Sequence, residues 1–137
     1  MLPANPKNIP VKETLLYRLK YKWGFAWLNA GEVTFKTKET ISLGKPIFEF
    51  SATGRTYSHY NSFFKVNDYF ESRVDKSSFE PIYFKRNISE GKYKLNEFDM
   101  YNMDSLRVKH HNLTQTKPKI KHFNIQTHTR DLLSLIY

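Results

Sequence analysis

The chain has 137 residues, one domain's length, with 39% hydrophobic and 16% aromatic residues, enough large rings to fill a core and too many for a disordered tail. It carries 22 Lys and Arg against 13 Asp and Glu, a formal charge of +9, and no cysteine, which excludes disulfides, thiol catalysis, thiolate zinc sites and a lipid-anchored cysteine within it. No apolar run approaches the roughly 18 residues of a membrane-spanning helix, so the expectation is a chain that does not span a membrane. Residues 1–12 hold Pro3, Pro6 and Pro10 and read as an extended lead-in; they lack the apolar stretch of a signal peptide.

Period-two alternation follows. Over residues 15–23, Leu15, Tyr17, Leu19, Tyr21 and Trp23 share one side, and Leu16, Arg18, Lys20 and Lys22 the other. This predicts a strand with an aromatic face on a core and a cationic face in water. Residues 24–31 read as a turn or bent segment with Phe25, Trp27 and Leu28 tucked inward. A second strand, about 32–40, groups Val33, Phe35 and Thr37; a third, about 47–53, groups Phe48, Phe50 and Ala52. Leu43, Gly44, Lys45 and Pro46 form the turn between them. In residues 54–64, Tyr57, Tyr60, Phe63 and Phe64 recur at three and four, which predicts a short helical insert capping one end of the sheet. Alternation resumes over 66–74, where Val66, Asp68, Phe70, Ser72 and Val74 share a face. Further strands are expected at 82–89, 92–100, 106–111 and 120–126, joined by polar turns. A last helix is expected after Thr129 or His128, with Asp131 in its first turn, followed by Leu132, Leu133, Leu135, Ile136 and Tyr137.

The expected fold is therefore mostly β: a curved antiparallel sheet, a barrel or half-barrel meander, with the short helical insert and the C-terminal helix, in a single domain over 1–137. The sequence stops on an apolar run without a polar tail, so the native protein is expected to continue beyond it, or the helix to dock on something.

The chemistry-bearing residues are sparse. His110 and His111 are neighbours on a strand and face opposite sides; His122 and His128 lie six apart without acidic company, and His59 stands alone. No metal site and no cofactor is expected from them. Asp68 falls on an apolar face, where a carboxylate needs a partner. Arg55, Arg73 and Arg86 are candidates, and a structural ion pair of Asp68 with Arg55 or Arg86 is the favoured reading over a catalytic acid. Glu32 and Glu90 each adjoin a glycine at a turn. There is no nucleophile elbow and no phosphate-cradling glycine loop, and no catalytic residue is assigned. Tyr57, Tyr60, Phe63 and Phe64 are the candidate ligand-binding residues, as the mouth of an apolar pocket. The positive charge is dispersed apart from Lys117, Lys119 and Lys121, so nucleic acid is not expected as a partner.

Several stretches carry a resemblance. They are Leu19-Lys20-Tyr21-Lys22-Trp23-Gly24-Phe25 with Asn29-Ala30-Gly31-Glu32, and Ala52-Thr53-Gly54-Arg55-Thr56 with residues 63–72 from Phe63 to Ser72. After them come Glu80-Pro81, residues 84–93 from Phe84 to Tyr93, and Arg130-Asp131-Leu132-Leu133-Ser134-Leu135-Ile136-Tyr137. In this order the chain resembles the DUF3108 family of bacterial exported proteins. The resemblance implies export to the periplasm or cell envelope and a β-rich fold akin to the YmcC-like envelope proteins, similar to the half-barrels of lipoprotein carriers. It implies no assigned activity and no catalytic residues. The chain departs from the family in lacking a signal peptide and in stopping where members run on.

The expected function is that of a non-enzymatic envelope protein holding a hydrophobic or glycan-like ligand, a lipid or a glycan, on a curved sheet. The alternatives are an interaction domain docking a partner protein in cell-surface assembly, and a polysaccharide-acting enzyme built on Asp68 with Glu32 or Glu90.

Overall fold

A computed structural model describes residues 9–60 and 62–136. Its eight strands are β1 (Lys12–Trp23), β2 (Ala26–Ser42), β3 (Lys45–Thr56), β4 (Asn67–Asp75), β5 (Pro81–Glu90), β6 (Tyr93–Asn102), β7 (Arg107–Asn112) and β8 (Lys119–Asn124). They form one antiparallel sheet in chain order, with β1 and β8 at its two edges. The sheet is therefore open, and the barrel expectation is corrected. Alternating side chains fix the strands, and short turns fix their pairing. Between β2 and β3, Leu43 and Gly44 both take positive φ, 49° and 77°. That mirror-image turn matches the twist of a tight hairpin.

Register sorts the side chains onto two faces. Phe35 pairs with Ala52, Ala52 with Phe70, Phe50 with Ser72, Ser72 with Phe84, and Phe48 with Val74. These residues share the covered face. Its buried cluster is Phe48, Phe50, Ala52 and Val74, closed from above by Phe79 of the β4–β5 turn and Leu133 of the C-terminal segment. Ile9, Phe35, Phe70 and Phe84 pack around it. The core thus lies over the middle of the sheet, on β2 to β5.

Three further expectations are corrected. The helical insert at 54–64 is only the 3-10 turn Ser58–Tyr60. β3 runs on to Thr56, and the Thr56 N–H donates to the Val66 carbonyl at 3.1 Å. The ladder claims those backbone groups, and what remains is too short to nucleate a helix. The C-terminal helix is likewise absent up to Ile136; Tyr137 lies outside the described residues. The Asp131 carboxylate does accept the N–H groups of Leu133 and Ser134, both at 3.0 Å, as an N-cap would. A turn follows, and Leu133 alone of the run's leucines is buried. Finally, the aromatic side of β1 does not rest on a core: Tyr17, Leu19, Tyr21 and Trp23 are exposed. The covering groups Phe79 and Leu133 belong to the cluster centred on β3 and β4.

Candidate functional site

The four aromatic residues of the expected mouth lie in the segment between β3 and β4. Tyr57, His59 and Tyr60 lean on one another, with ring centroids 6.1 and 4.3 Å apart. Phe63 and Phe64 donate their N–H groups to the Tyr60 carbonyl, both at 3.0 Å, and both side chains are exposed. The Phe64 ring lies over Gly91 of the β5–β6 turn, 3.0 Å from where a Cβ would stand. The best-formed hollows, about 560 and 180 Å³, are shallow grooves beside Val11, Thr40 and Ile41 and beside Lys12, Lys36 and Ser51. Neither reaches the four aromatic residues.

Charged partners follow register. Arg55 stands opposite Glu32, and its Nε donates to that carboxylate at 2.7 Å. Arg86 stands opposite Glu97 and donates to it. Lys38 and Arg73 both stand opposite Glu49 and bridge it at 2.9 and 3.6 Å. Asp68 meets neither candidate arginine in these pairs. Gly54 is its opposite residue, and alternation turns Arg55 to the other side of the sheet. Asp68 instead accepts the Ser89 N–H at 2.9 Å. It also shares a hydrogen bond with Glu90, whose carboxyl is held above the ordinary range by that bond and by the Asp68 charge.

One polar constellation escapes sequence reasoning. On the covered face His110 stands opposite Asp99, with its Nδ1 2.7 Å from that carboxylate and its Nε2 3.6 Å from Glu97. Glu97 is buried and also receives Arg86 and the Asn112 amide, the latter at 3.4 Å. Beside it, burial first and then the charges of Asp99 and Asp131 push the Tyr101 hydroxyl far above its ordinary pKa. These groups satisfy one another, as buried charge requires. Among the described residues no group of three His, Asp or Glu is placed to hold a metal ion.

The least satisfied surface is the β1–β2 hairpin. β3 pairs with β2 only from Gly31 onward, so residues 20–23 and 26–29 form a two-stranded ribbon beyond the third strand, four pairs or about 13 Å long. Gly24 takes φ +57° in the turn, a conformation open to glycine, and the chain reverses at Phe25. Phe25 and Trp27, expected to be tucked inward, are 100% and 65% exposed; Trp23 is 74% exposed and Tyr21 61%. The Lys22 ammonium sits 5.8 Å from the Trp27 ring centroid. The alternation that marks the rest of β2 is broken here, by the apolar run Ala26-Trp27-Leu28 and the unpaired Ala30, so the local pattern does not place Trp27 on a strand or say what covers it.

An open antiparallel sheet with one filled face and an uncovered aromatic hairpin defines the class of protein. Within that class, the chain matches the model of DUF3108, a protein family of unknown function, over residues 16–137, and it belongs to that family. No curated protein and no solved structure matches it. Among the described residues no helix is long and apolar enough to cross a membrane.

Proposed function

We propose that this is a non-enzymatic protein of the cell envelope that binds an amphipathic ligand, lipid or glycan-like, on the open sheet surface. The observation that carries this reading is the set of exposed rings on the β1–β2 hairpin, Tyr21 and Trp23 on one face, Trp27 beside Lys22 on the other, and Phe25 at the turn. Rings and cations together suit a ligand with an apolar body and polar or anionic groups. Resemblance to exported envelope proteins supports the location. The filled face over Phe48 and Phe50 moves binding from an enclosed cavity, the earlier expectation, to the uncovered surface. Twist of an eight-stranded sheet supplies the curvature such a surface needs. The test is native mass spectrometry of protein purified from the envelope of its host, followed by organic extraction. A discrete lipid or glycan mass is expected; a bare protein mass overturns the reading.

A second reading has its own observation. Leu132, Leu135 and Ile136 stand exposed around the buried Leu133. Such an apolar strip suits an interaction domain that docks a partner protein. Crosslinking in the envelope from position 135 would trap that partner.

A further inference from the structure

We infer that the β1–β2 ribbon is a membrane-contact site that lays its aromatic tip into the interface of an anionic bilayer. The inference rests on the proposed amphipathic-ligand reading and narrows the ligand to a lipid surface. Three observations on the ribbon converge. It carries Tyr21 and Trp23 on one face, Trp27 beside Lys22 on the other and Phe25 at the turn, all more than half exposed, on a hairpin that β1 and β2 build. A two-stranded hairpin is marginal in water, so these rings gain by entering a less polar medium. Trp and Tyr are the side chains that favour the level of lipid head groups.

The charge pattern names the kind of surface. The ribbon, residues 20–29, contains Lys20 and Lys22 and no Asp or Glu. The ribbon is therefore a purely cationic projection, whereas the sheet body answers its cations with Glu32, Glu49 and Glu97. A basic and aromatic projection complements anionic head groups. The same charges disfavour a second copy docking tip to tip, because two cations would then face two. Head groups pair with Lys20 and Lys22, while Phe25, at the apex, enters deepest.

The molecule carries its own reporter. Its only two tryptophans, Trp23 and Trp27, both lie on the ribbon. Intrinsic fluorescence of the whole chain is therefore read with vesicles of phosphatidylcholine mixed with anionic phosphatidylglycerol, and with vesicles of phosphatidylcholine alone. The expected result is a blue shift with cosedimentation on the anionic vesicles, weakening as salt rises, and neither on the neutral ones. Lys20→Gln with Lys22→Gln should weaken the anionic binding about thirtyfold, from the usual contribution of each basic residue near such a surface. Circular dichroism checks that this variant keeps its sheet; Phe25→Ser gives a second, uncharged test of the tip and should also reduce the shift. An unchanged spectrum on both vesicles overturns the inference, as does a blue shift that tracks protein concentration without vesicles, which would mean that a second copy covers the ribbon. The vesicle assay reads a bilayer, and extraction from the host reads any bound molecule. A discrete glycan mass with no vesicle binding would thus sink the membrane site and leave the broader reading standing.

Discussion

Asp131 closes the covered face. Its carboxylate accepts the Ser72 hydroxyl at 2.7 Å across 59 residues of chain, and it holds the N–H groups of Leu133 and Ser134. Ser72, Asp131 and Ser134 are all buried. Removing the carboxylate leaves those donors dry and frees Leu133 from the core, and each unsatisfied buried group costs about 1–3 kcal/mol. Asp131→Ala is expected to lower unfolding stability by about 3 kcal/mol, and Asp131→Asn by less, as measured by urea denaturation. An unchanged midpoint would mean that the segment does not hold the core. His111 acts on the opposite face, where its ring stacks on Phe98 at 4.3 Å. Burial, then the charges of Lys109, His110 and His122, hold its pKa below the ordinary value, although Asp99 pulls it back. The unfolded chain then takes up the proton first as pH falls. The stability from neutral His111 is complete above about pH 6.5 and is lost as pH drops through the lower folded value. His111→Phe keeps the stack without the titration, so its melting temperature should fall less between pH 8 and pH 5.5 than that of the parent. Equal losses in both proteins would exclude His111 as the cause.

At the scale of elements, Gly31 decides how the ribbon leaves the sheet. The β1–β2 register slips there: Leu19 pairs with Gly31 and Lys20 with Asn29, leaving Ala30 as a bulge. A Cβ on Gly31 would stand 2.3 Å from the Arg55 carbonyl oxygen, so the close approach of β2 and β3 requires glycine. Gly31→Ala should cost about 1–3 kcal/mol through forced separation of those strands, read as a lower urea midpoint. A neutral outcome would show that the bulge can slide. The strands themselves were legible, because alternation needs no knowledge of partners. Arg86 with Glu97 was not: Arg86 was expected to meet Asp68, and only the register that puts Glu90 opposite Tyr93 brings Arg86, four steps back, to Glu97. Periodicity misled at Tyr57, Tyr60, Phe63 and Phe64, where spacing of three and four arises from tight turns after a strand that stays paired to Thr56. Asp131 does what a helix cap does, yet residues 132–136 form turns and Leu133 is drawn into the core. The ribbon was illegible for another reason. An amphipathic strand predicts that one face is covered, but local pattern does not say by what.

For the whole molecule, the order of the strands makes stability uneven. Each strand pairs only with its chain neighbours, so the sheet is a row in which protection depends on distance from the packed centre. That centre is β3 and β4, where Phe50, Ser72 and Val74 are inaccessible and Phe79 and Leu133 close the face. β8 is exposed along its whole length, and at the other edge nearly all of β1 is too. Backbone hydrogen bonds at the two ends therefore lack the apolar cover that would make their opening cooperative with the core. Amide hydrogen exchange should be slowest at Phe48, Phe50 and Val74, intermediate in β5 and β6, and fastest in β8 and residues 20–29. The ribbon should differ from β8 in one respect. If its rings enter an anionic bilayer, vesicles will slow exchange at residues 20–29 and leave β8 unchanged. Uniform protection along the sheet would contradict the row description, because it would require the edges to open only with the core.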